Sequence, residues 1–333
     1  MDNMAQKAAN GDLFAPASKE EREGIEVKRE ITSYWKNVST HFVKNKVAVV
    51  SFWFIIAIVL LAIFGPMFSQ FKFDEQVKGS ELIMPFTSSV HPLGTDNLGR
   101  DEFVRLMFGA RISLAIGIIA TVMVLIIGVI YGAVSGYFGG WVDTIMMRIV
   151  EIISSVPALL IIILLSVIIQ DPLNDYLDAH PSYTFLRSIG GSLLCIFITF
   201  ALLYWTDMAR MVRGQILSVK TTEYVNAARA LGAKPGRLIR KHLLPNSMGV
   251  IIVTATLNIP TAIFTEAYLS FLGIGVSPPM CSLGSLANDG LSYIYSQAYM
   301  LIFPSILISL IILAFYLVGD ELRDALDPRM KNK

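Results

Sequence analysis

Few residues in this sequence are spaced for catalysis. The chain of 333 residues contains no Gly-Lys dipeptide, so a Walker A phosphate-binding loop is absent. Its long apolar runs contain no histidine, and Glu266 has no second carboxylate at comparable depth. Proteolysis inside a membrane needs a nucleophile with its base, or paired carboxylates, within such runs. The sequence therefore predicts a protein that is not an enzyme and binds no cofactor itself.

Metal and nucleic-acid binding are also poorly supported. Cys195 lies in an apolar run and Cys281 in a polar one, and nothing in their positions brings them together. His91 beside Asp96 falls below the ligand count that a metal needs. The net charge of +1 gives no reason to expect a nucleic-acid partner. We predict no disulfide, no metal site and no nucleic-acid partner.

Composition indicates an all-α integral membrane protein. Hydrophobic residues make up 54% of the chain and charged residues 16%, whereas soluble domains carry about 25% charged residues. A helix crosses the hydrocarbon core with about 20 apolar residues, and a lipid-exposed segment must be helical to pair its backbone. Six runs meet this requirement: 47–68, 112–138, 146–169, 188–206, 247–275 and 291–319.

The distribution of Lys and Arg predicts that both termini are cytoplasmic. Twenty of these residues lie in the N-terminal tail, in the loop over 207–246 and in the C-terminal tail, against six in the connections on the other side, which include the loop over 69–111. We expect a tail over 1–46, a transmembrane domain over 47–319 and a tail over 320–333. A helix on the membrane surface is plausible for residues 25–43, and a solvated leader is the alternative.

The loop over 207–246 carries a predicted helix. Thr221 or Thr222 can cap its start, Glu223 suits the first turn, and Gly232 can end it in a left-handed conformation. A second short helix is expected to begin at Pro235, run through Arg240 and end before Pro245.

One face of the first helix is apolar and small. Tyr224, Ala228 and Leu231 share this face at helical spacing, while Ala227 and Ala230 keep neighbouring positions small. Such a helix suits insertion into a groove on another protein. Helix physics alone leaves packing against its own bundle equally open.

The order of residues in this loop resembles a known family. Asn226-Ala-Ala-Arg-Ala-Leu-Gly232, followed by His242 and then Leu244-Pro245, resembles the EAA loop of bacterial ABC importer permeases. Asn226 stands where that family has its glutamate, and His242 stands where an isoleucine is common. Both departures resemble the dipeptide, oligopeptide and nickel branch. Three further segments resemble the second permease subunit of that branch: His91–Asp101, Glu266–Gly275 and Asp324–Arg329.

The resemblance implies a type I ABC importer permease with six transmembrane helices. Its partners would be membrane lipid, a homologous second permease subunit, two ATP-binding cassette subunits that hold ATP and Mg²⁺, and an extracytoplasmic substrate-binding protein. Oligopeptides would be the substrate, with dipeptides or nickel as alternatives within the branch. An ion-coupled carrier is the alternative outside it, although no internal repeat is visible. The resemblance makes residues 221–245, here termed the coupling segment, the contact with the ATPase, through Glu223, Tyr224, Asn226, Ala227, Ala228, Arg229, Leu231, Gly232, Ala233, His242 and Pro245.

Two further groups of residues are candidates for the transport path. Asn258, Pro260 and Glu266 lie in the fifth run, where an ionisable group usually faces the protein interior or water, and for Glu266 a buried structural hydrogen bond is the equal alternative. Asp96, Arg100 and Asp101 precede or open an amphipathic helix expected over 98–111, either a lid at the outer surface or a structural collar.

A third feature of the runs is a stripe of glycines. Gly128, Gly132 and Gly136 allow close helix contact, either within the subunit or with the second permease chain.

Overall fold

The computed structural model describes residues 34–180, 182–183 and 190–326. These residues form helices joined by turns and loops. The helices are α1 Tyr34–Lys44, α2 Lys46–Phe64, α3 Glu102–Phe138, α4 Gly140–Ser154, α5 Ala158–Ala179, α6 Gly191–Leu203, α7 Trp205–Val219, α8 Glu223–Ala230, α9 Pro235–Leu238, α10 Leu244–Phe271, α11 Leu283–Leu291 and α12 Tyr299–Leu326. A 3₁₀ turn, Gly65–Phe68, extends α2, and a π-helical turn, Ile239–Leu243, joins α9 to α10.

Six segments within the described ranges are long and apolar enough to cross a membrane, which confirms the expected number and the all-α class. They are Lys46–Phe68, Glu102–Phe138, Ala158–Ala179, Gly191–Val219, Pro235–Phe271 and Tyr299–Leu326. Asn45 caps the first, because its side-chain oxygen accepts hydrogen bonds from the backbone N–H groups of Val47 and Ala48. Of the surface helix expected over 25–43, residues before 34 lie outside the described part; α1 covers the remainder and contacts α12 through His41 and Glu321.

The predicted bounds of the third span were wrong. The apolar run over 146–169 is divided between α4 and α5, which are separated at Ser155–Pro157. Pro157 has no N–H to continue the helix, and its ring disfavours a helical conformation at Val156. Hydropathy does not detect this break because the residues on both sides of it are apolar.

The predicted end of the helix that begins at Pro235 was also wrong. This helix does not stop at Arg240, because the π-helical turn carries it into α10. In that turn the N–H of Leu244 bonds to the carbonyl of Ile239, five residues back. Pro245, which has no N–H, therefore sits within a continuous helix, and a π turn accommodates such an irregularity.

Other helix ends also differ from the expectation, among them the end of the fifth span at Phe271 rather than at residue 275 and of the sixth at Leu326 rather than at residue 319. The helix expected over 98–111 begins only at Glu102, since Asp101 caps it by accepting from the N–H of Val104 at 2.9 Å. The fourth span continues past residue 206 to Val219, with a single turn residue, Tyr204, between α6 and α7. The sixth begins at Tyr299 rather than at residue 291, which belongs to the separate helix α11.

The glycine stripe of α3 packs within the subunit, against α7. A methyl group added at Gly132 would lie 2.4 Å from the carbonyl oxygen of Ala209. One added at Gly128 would lie 3.0 Å from the carbonyl oxygen of Trp205. The two helices are therefore in backbone contact over these turns, and only glycine permits that approach.

Candidate coupling segment and transport path

The coupling segment consists of a short helix, a glycine turn and the start of the fifth span. Helix α8 begins after Thr222, whose hydroxyl donates to the carbonyl of Val219 at 2.7 Å and makes no capping bond, contrary to the expected cap. Gly232 has φ +82°, and the N–H of Ala233 bonds to the carbonyl of Ala228 at 3.1 Å. This is the left-handed helix end that the sequence predicted.

One side of α8 is fixed to the subunit itself. Val225 is fully buried, and it joins a cluster with Leu238 and Leu243 from the far side of the glycine turn and with Met208 and Val212 of α7. The predicted face was wrong in this respect, because Ala228 packs against this cluster whereas Tyr224 and Leu231 do not face it. The apolar spacing of Val225 and Ala228, three residues apart, was the signal that the sequence offered.

The other side of α8 is exposed. Leu231 is 89% exposed and Tyr224 43% exposed, and the surface between them is formed by small or polar residues. Glu223, Asn226, Ala227, Arg229 and Gly232 are exposed as well. Single exposed leucines are common on protein surfaces, but this one lies at the end of a helix whose other side packs against the subunit, and Tyr224 of the same helix is exposed too. His242 is half-buried and Pro245 exposed, both in the following helix.

Two polar contacts hold α7, which leads into this segment, to the adjacent end of α3 and α4. The Lys220 ammonium donates to the carbonyl oxygen of Gly136 at 2.9 Å, where α3 ends. Asp143 of α4 accepts two bonds from Arg213, at 2.5 and 2.6 Å, and a third from Ser135 at 2.5 Å. The bonds from Arg213 hold the pKa of Asp143 below its ordinary value, although partial burial opposes them.

At the opposite end of the bundle, Asp96 organises the loop before α3. It is fully buried and accepts bonds from the N–H groups of Leu98 and Arg100, at 2.8 and 2.9 Å. The side chains of Arg100, at 2.6 Å, and of Arg105 also donate to it. A carboxylate with this many donors is fully used in holding the loop.

Asp101 is likewise buried. It accepts from the backbone of Val104, as described, and lies 2.8 Å from the ring of His91. Of the three residues proposed for a lid, Arg100 alone keeps partial exposure; Asp96 and Asp101 stabilise the collar. Arg100 lines a cavity of about 810 Å³ at this end, together with Asp289 and Tyr293.

Glu266 is fully buried and does not line an accessible surface of this chain. Its carboxylate accepts from the hydroxyl of Ser113 of α3 at 2.9 Å and from that of Ser270 at 2.7 Å. Ser113 in turn accepts from the N–H of Leu283 at 3.2 Å. Of the two alternatives for Glu266, the structure shows the hydrogen-bonded one, in which it joins α10, α3 and α11.

The two remaining candidates for the transport path, Pro260 and Asn258, lie in different surroundings. Pro260 is buried inside α10. Asn258 is half-buried and lines a small pocket together with Thr121, Tyr204 and Thr261. This pocket has a volume of about 10 Å³, which is room for about one water molecule, so none of the predicted trio lines a space that would hold a peptide.

The described residues thus form six apolar spans, and the coupling segment packs against the subunit between the fourth and the fifth of them. Residues 125–332 match the family described as the binding-protein-dependent transport system inner membrane component. Residues 33–85 match the N-terminal transmembrane domain of oligopeptide transport permease C. The chain belongs to this permease family, and it is an integral membrane protein.

Curated relatives match nearly the whole chain. It is 43% identical to the oligopeptide transport system permease protein OppC of Bacillus subtilis, over 96% of this chain and 98% of the relative. It is 42% identical to the dipeptide transport system permease protein DppC of the same organism, over 96% and 93%. Among solved structures, a chain of the inward-facing MetNI methionine ABC transporter aligns with a TM-score of 0.52 at 21% identity, over 68% of this chain and 96% of the other. That likeness concerns the fold.

Proposed function

We propose that this protein is a permease subunit for peptides and forms half of the translocation path of an ATP-driven importer. The observation that carries the proposal is the coupling segment, which is fixed on one side and presents Leu231 and Tyr224 on the other. The names of the OppC and DppC relatives support peptides as the substrate. Oligopeptides are the first expectation, and the similar identity to DppC makes dipeptides the second.

The partners follow from this proposal. A homologous second permease would complete the path, two ATP-binding cassette subunits would bind ATP and Mg²⁺, and an extracytoplasmic protein would deliver peptide. Both termini and the coupling segment would lie in the cytoplasm, as the twenty Lys and Arg residues on that side support. The exposed face of α8 would insert into a groove on an ATPase subunit.

The packing contacts of α8 support a route by which movement of the ATPases would be transmitted to the membrane spans. Val225 packs on α7, and α7 is in backbone contact with α3 through the glycine stripe. On the other side of Gly232, α9 begins at Pro235 and continues through the π-helical turn into α10 without a break in the helix. A displacement of α8 is therefore passed to two spans at once, because packed interfaces shift as units rather than deforming continuously.

The test is uptake of a labelled peptide by the complex of this chain with its partner subunits, reconstituted in vesicles. Uptake should require ATP, the binding protein and this chain. Transport by this chain without ATP would instead favour an ion-coupled carrier. Uptake of dipeptides with no uptake of longer peptides would assign the second candidate substrate.

The coupling segment is tested best at Leu231. Substituting Ala228 disturbs the subunit's own core, whereas Leu231→Asp changes an 89% exposed side chain. Because an apolar anchor at the centre of an interface is worth about 2 kcal/mol, we expect uptake to fall by at least about tenfold while the chain still inserts. Met84→Asp, a change at a 55% exposed residue of the opposite end, is the matched control. Normal uptake by Leu231→Asp would contradict the docking proposal.

A further inference from the structure

A cavity of about 810 Å³ lies at the end of the bundle opposite the coupling segment. Its wall is formed by the loop before α3, the turn between α10 and α11, and α11 with the residues that follow it. The cavity residues around the start of α3, Arg100 and Arg105, precede the apolar run that begins at Ile112. The cavity therefore lies beyond that run, at a water-facing end of the subunit. Ligand pockets commonly measure about 300–1,000 Å³, so a short peptide would fit.

Four charged side chains form a linear series at this cavity. Asp96 accepts a hydrogen bond from Nε of Arg100 at 2.6 Å and another from Nη1 of Arg105. Nη2 of Arg105 donates to Asp289 at 3.1 Å. The two inner members of the series, Asp96 and Arg105, are buried. They hold the two outer members, Arg100 and Asp289, in fixed positions.

The two outer members line the cavity and keep unused hydrogen-bonding capacity. Both terminal amino groups of Arg100 and Oδ1 of Asp289 have no hydrogen-bond partner among the described residues. Nor does any ion pair join Arg100 to Asp289 in that part of the chain. The terminal amino groups of a guanidinium can bind both oxygens of a carboxylate, and an aspartate oxygen can accept from an ammonium group. The series therefore offers one free positive end and one free negative end.

The charged residues that line the cavity balance one another. Asp74 adds a second carboxylate, so the cavity residues include two arginines and two aspartates. A balanced lining favours a ligand with one charge of each sign over a simple anion or cation. Asn97, Asn288 and Ser292 add amide and hydroxyl groups, which match the N–H and C=O groups of a peptide main chain.

We propose that this cavity binds a peptide in its zwitterionic form, with the carboxylate terminus on Arg100 and the ammonium terminus on Asp289. The inference rests on the proposed function in peptide transport. With the coupling segment in the cytoplasm, as that function requires, this end of the subunit faces the protein that delivers the peptide. Because Asp96 and Arg105 already fix the two charged partners, binding orders few side chains and costs little conformational entropy.

The test is protection of an engineered thiol by peptide in the complex of this chain with its partner subunits. The complex is held in lipid nanodiscs without ATP and without the delivering protein. Ser292→Cys places the thiol on an exposed residue of the cavity wall. Ser89→Cys is the matched control, since Ser89 is exposed in the loop before α3 but does not line the cavity. Cys195 and Cys281 are buried and add little background.

The probe is the shortest alanine peptide that the same complex imports. This peptide should slow the reaction of Ser292→Cys with a water-soluble methanethiosulfonate by about tenfold when the site is about nine-tenths occupied. Labelling of Ser89→Cys should not change at the same peptide concentration.

Capped forms of the same peptide test the two charged partners separately. For the parent chain, amidation of the carboxyl terminus and acetylation of the amino terminus should each raise the half-protecting concentration at least about tenfold, because each removes a hydrogen bond between charged groups. Arg100→Gln should remove the effect of amidation and keep that of acetylation, and Asp289→Asn should do the reverse. Arg100→Lys, which keeps the positive charge, should retain the effect of amidation. A merely structural disturbance of the loop would instead change both effects together.

The outcomes separate failure of the site from failure of the proposed function. Labelling of Ser292→Cys that peptide does not slow, in a complex that imports the same peptide, would overturn the site and leave the proposed function intact. Equal protection of Ser89→Cys, or capping effects that persist in both charge variants, would also overturn the site. A complex that imports no peptide would reject the proposed function, and the site with it.

Discussion

The ion pair between Asp143 and Arg213 offers a quantitative test of how α7 is fixed to α4. The perturbation is a double-mutant cycle of Asp143→Asn, Arg213→Gln and the combined variant. Both hydrogen bonds of the pair are short, at 2.5 and 2.6 Å, and the side chains are 15% and 33% exposed. The pair Arg148–Glu151, on the same helix α4 but 74% and 56% exposed, is the matched control.

The expected magnitude follows from geometry and exposure. Two unit charges about 4 Å apart attract by about 4 kcal/mol at an effective dielectric constant of about 20. Desolvation of both groups removes part of this, and the partial exposure of Arg213 screens more. We expect a coupling free energy of about 1–3 kcal/mol for this pair, in the range of hydrogen bonds to charged groups. The exposed control pair should give about 0–1 kcal/mol.

The assay is reversible unfolding of the purified subunit in mixed micelles by sodium dodecyl sulfate, followed by tryptophan fluorescence. Because the pKa of Asp143 lies below the ordinary 3.8, this carboxylate contributes stability above that pH and loses it as pH falls through the lowered value. The coupling free energy should therefore stay constant between about pH 5 and pH 8. Single-variant losses that add up within about 0.5 kcal/mol in the double variant would refute the reasoning.

Three further predictions concern packing and burial. Gly132→Ala should destabilise the fold by about 1–3 kcal/mol through overpacking, measured by the same unfolding assay, while Gly214→Ala on α7 meets no atom within 4 Å and should cost nothing. Cys281, whose pKa burial raises to about 11, and the buried Cys195 should resist alkylation at neutral pH until the chain is unfolded; rapid labelling of the folded protein would contradict this. Glu266→Leu should leave the O–H donors of Ser113 and Ser270 without their acceptor, at about 1–3 kcal/mol each, whereas Glu266→Gln should retain most of the stability; equal losses would refute the hydrogen-bonding role.

The sequence predicted the spans well because bilayer thickness constrains their length and apolarity directly. The run over 247–275, for example, is recognisable even though it contains Asn258, Pro260 and Glu266. Helix interruptions were less predictable. Pro157 divides a helix and Pro245 does not, although each follows an apolar residue, Val156 and Leu244. Before Pro245 the backbone hydrogen bonds change to the π-helical pattern, so the helix continues although proline donates no hydrogen bond. Whether such a turn forms depends on tertiary packing.

The coupling segment was located correctly by the order of its residues, but its orientation was not. Helical spacing grouped Ala228 with Leu231, and the structure separates them, because Val225 is the residue that anchors the helix. Leu231 lies beyond the last helical residue, Ala230, where the chain departs from helical geometry towards Gly232. A helical projection therefore places Leu231 on the wrong face.

Charge inside an apolar run was the least reliable guide to function, and the reason is physical. Glu266 stands out in the sequence because lipid penalises it, yet that same penalty requires partners, and Ser113 and Ser270 supply them. A carboxylate that is fully paired in this way has little left to offer a substrate. The sequence does not mark Asp207 as unusual, because it directly follows an apolar run and is the first residue of the predicted loop over 207–246. In the structure it continues a span and remains 80% exposed. Hydropathy therefore finds a charge within an apolar run, whereas its burial and its partners show whether that charge is already used within the subunit.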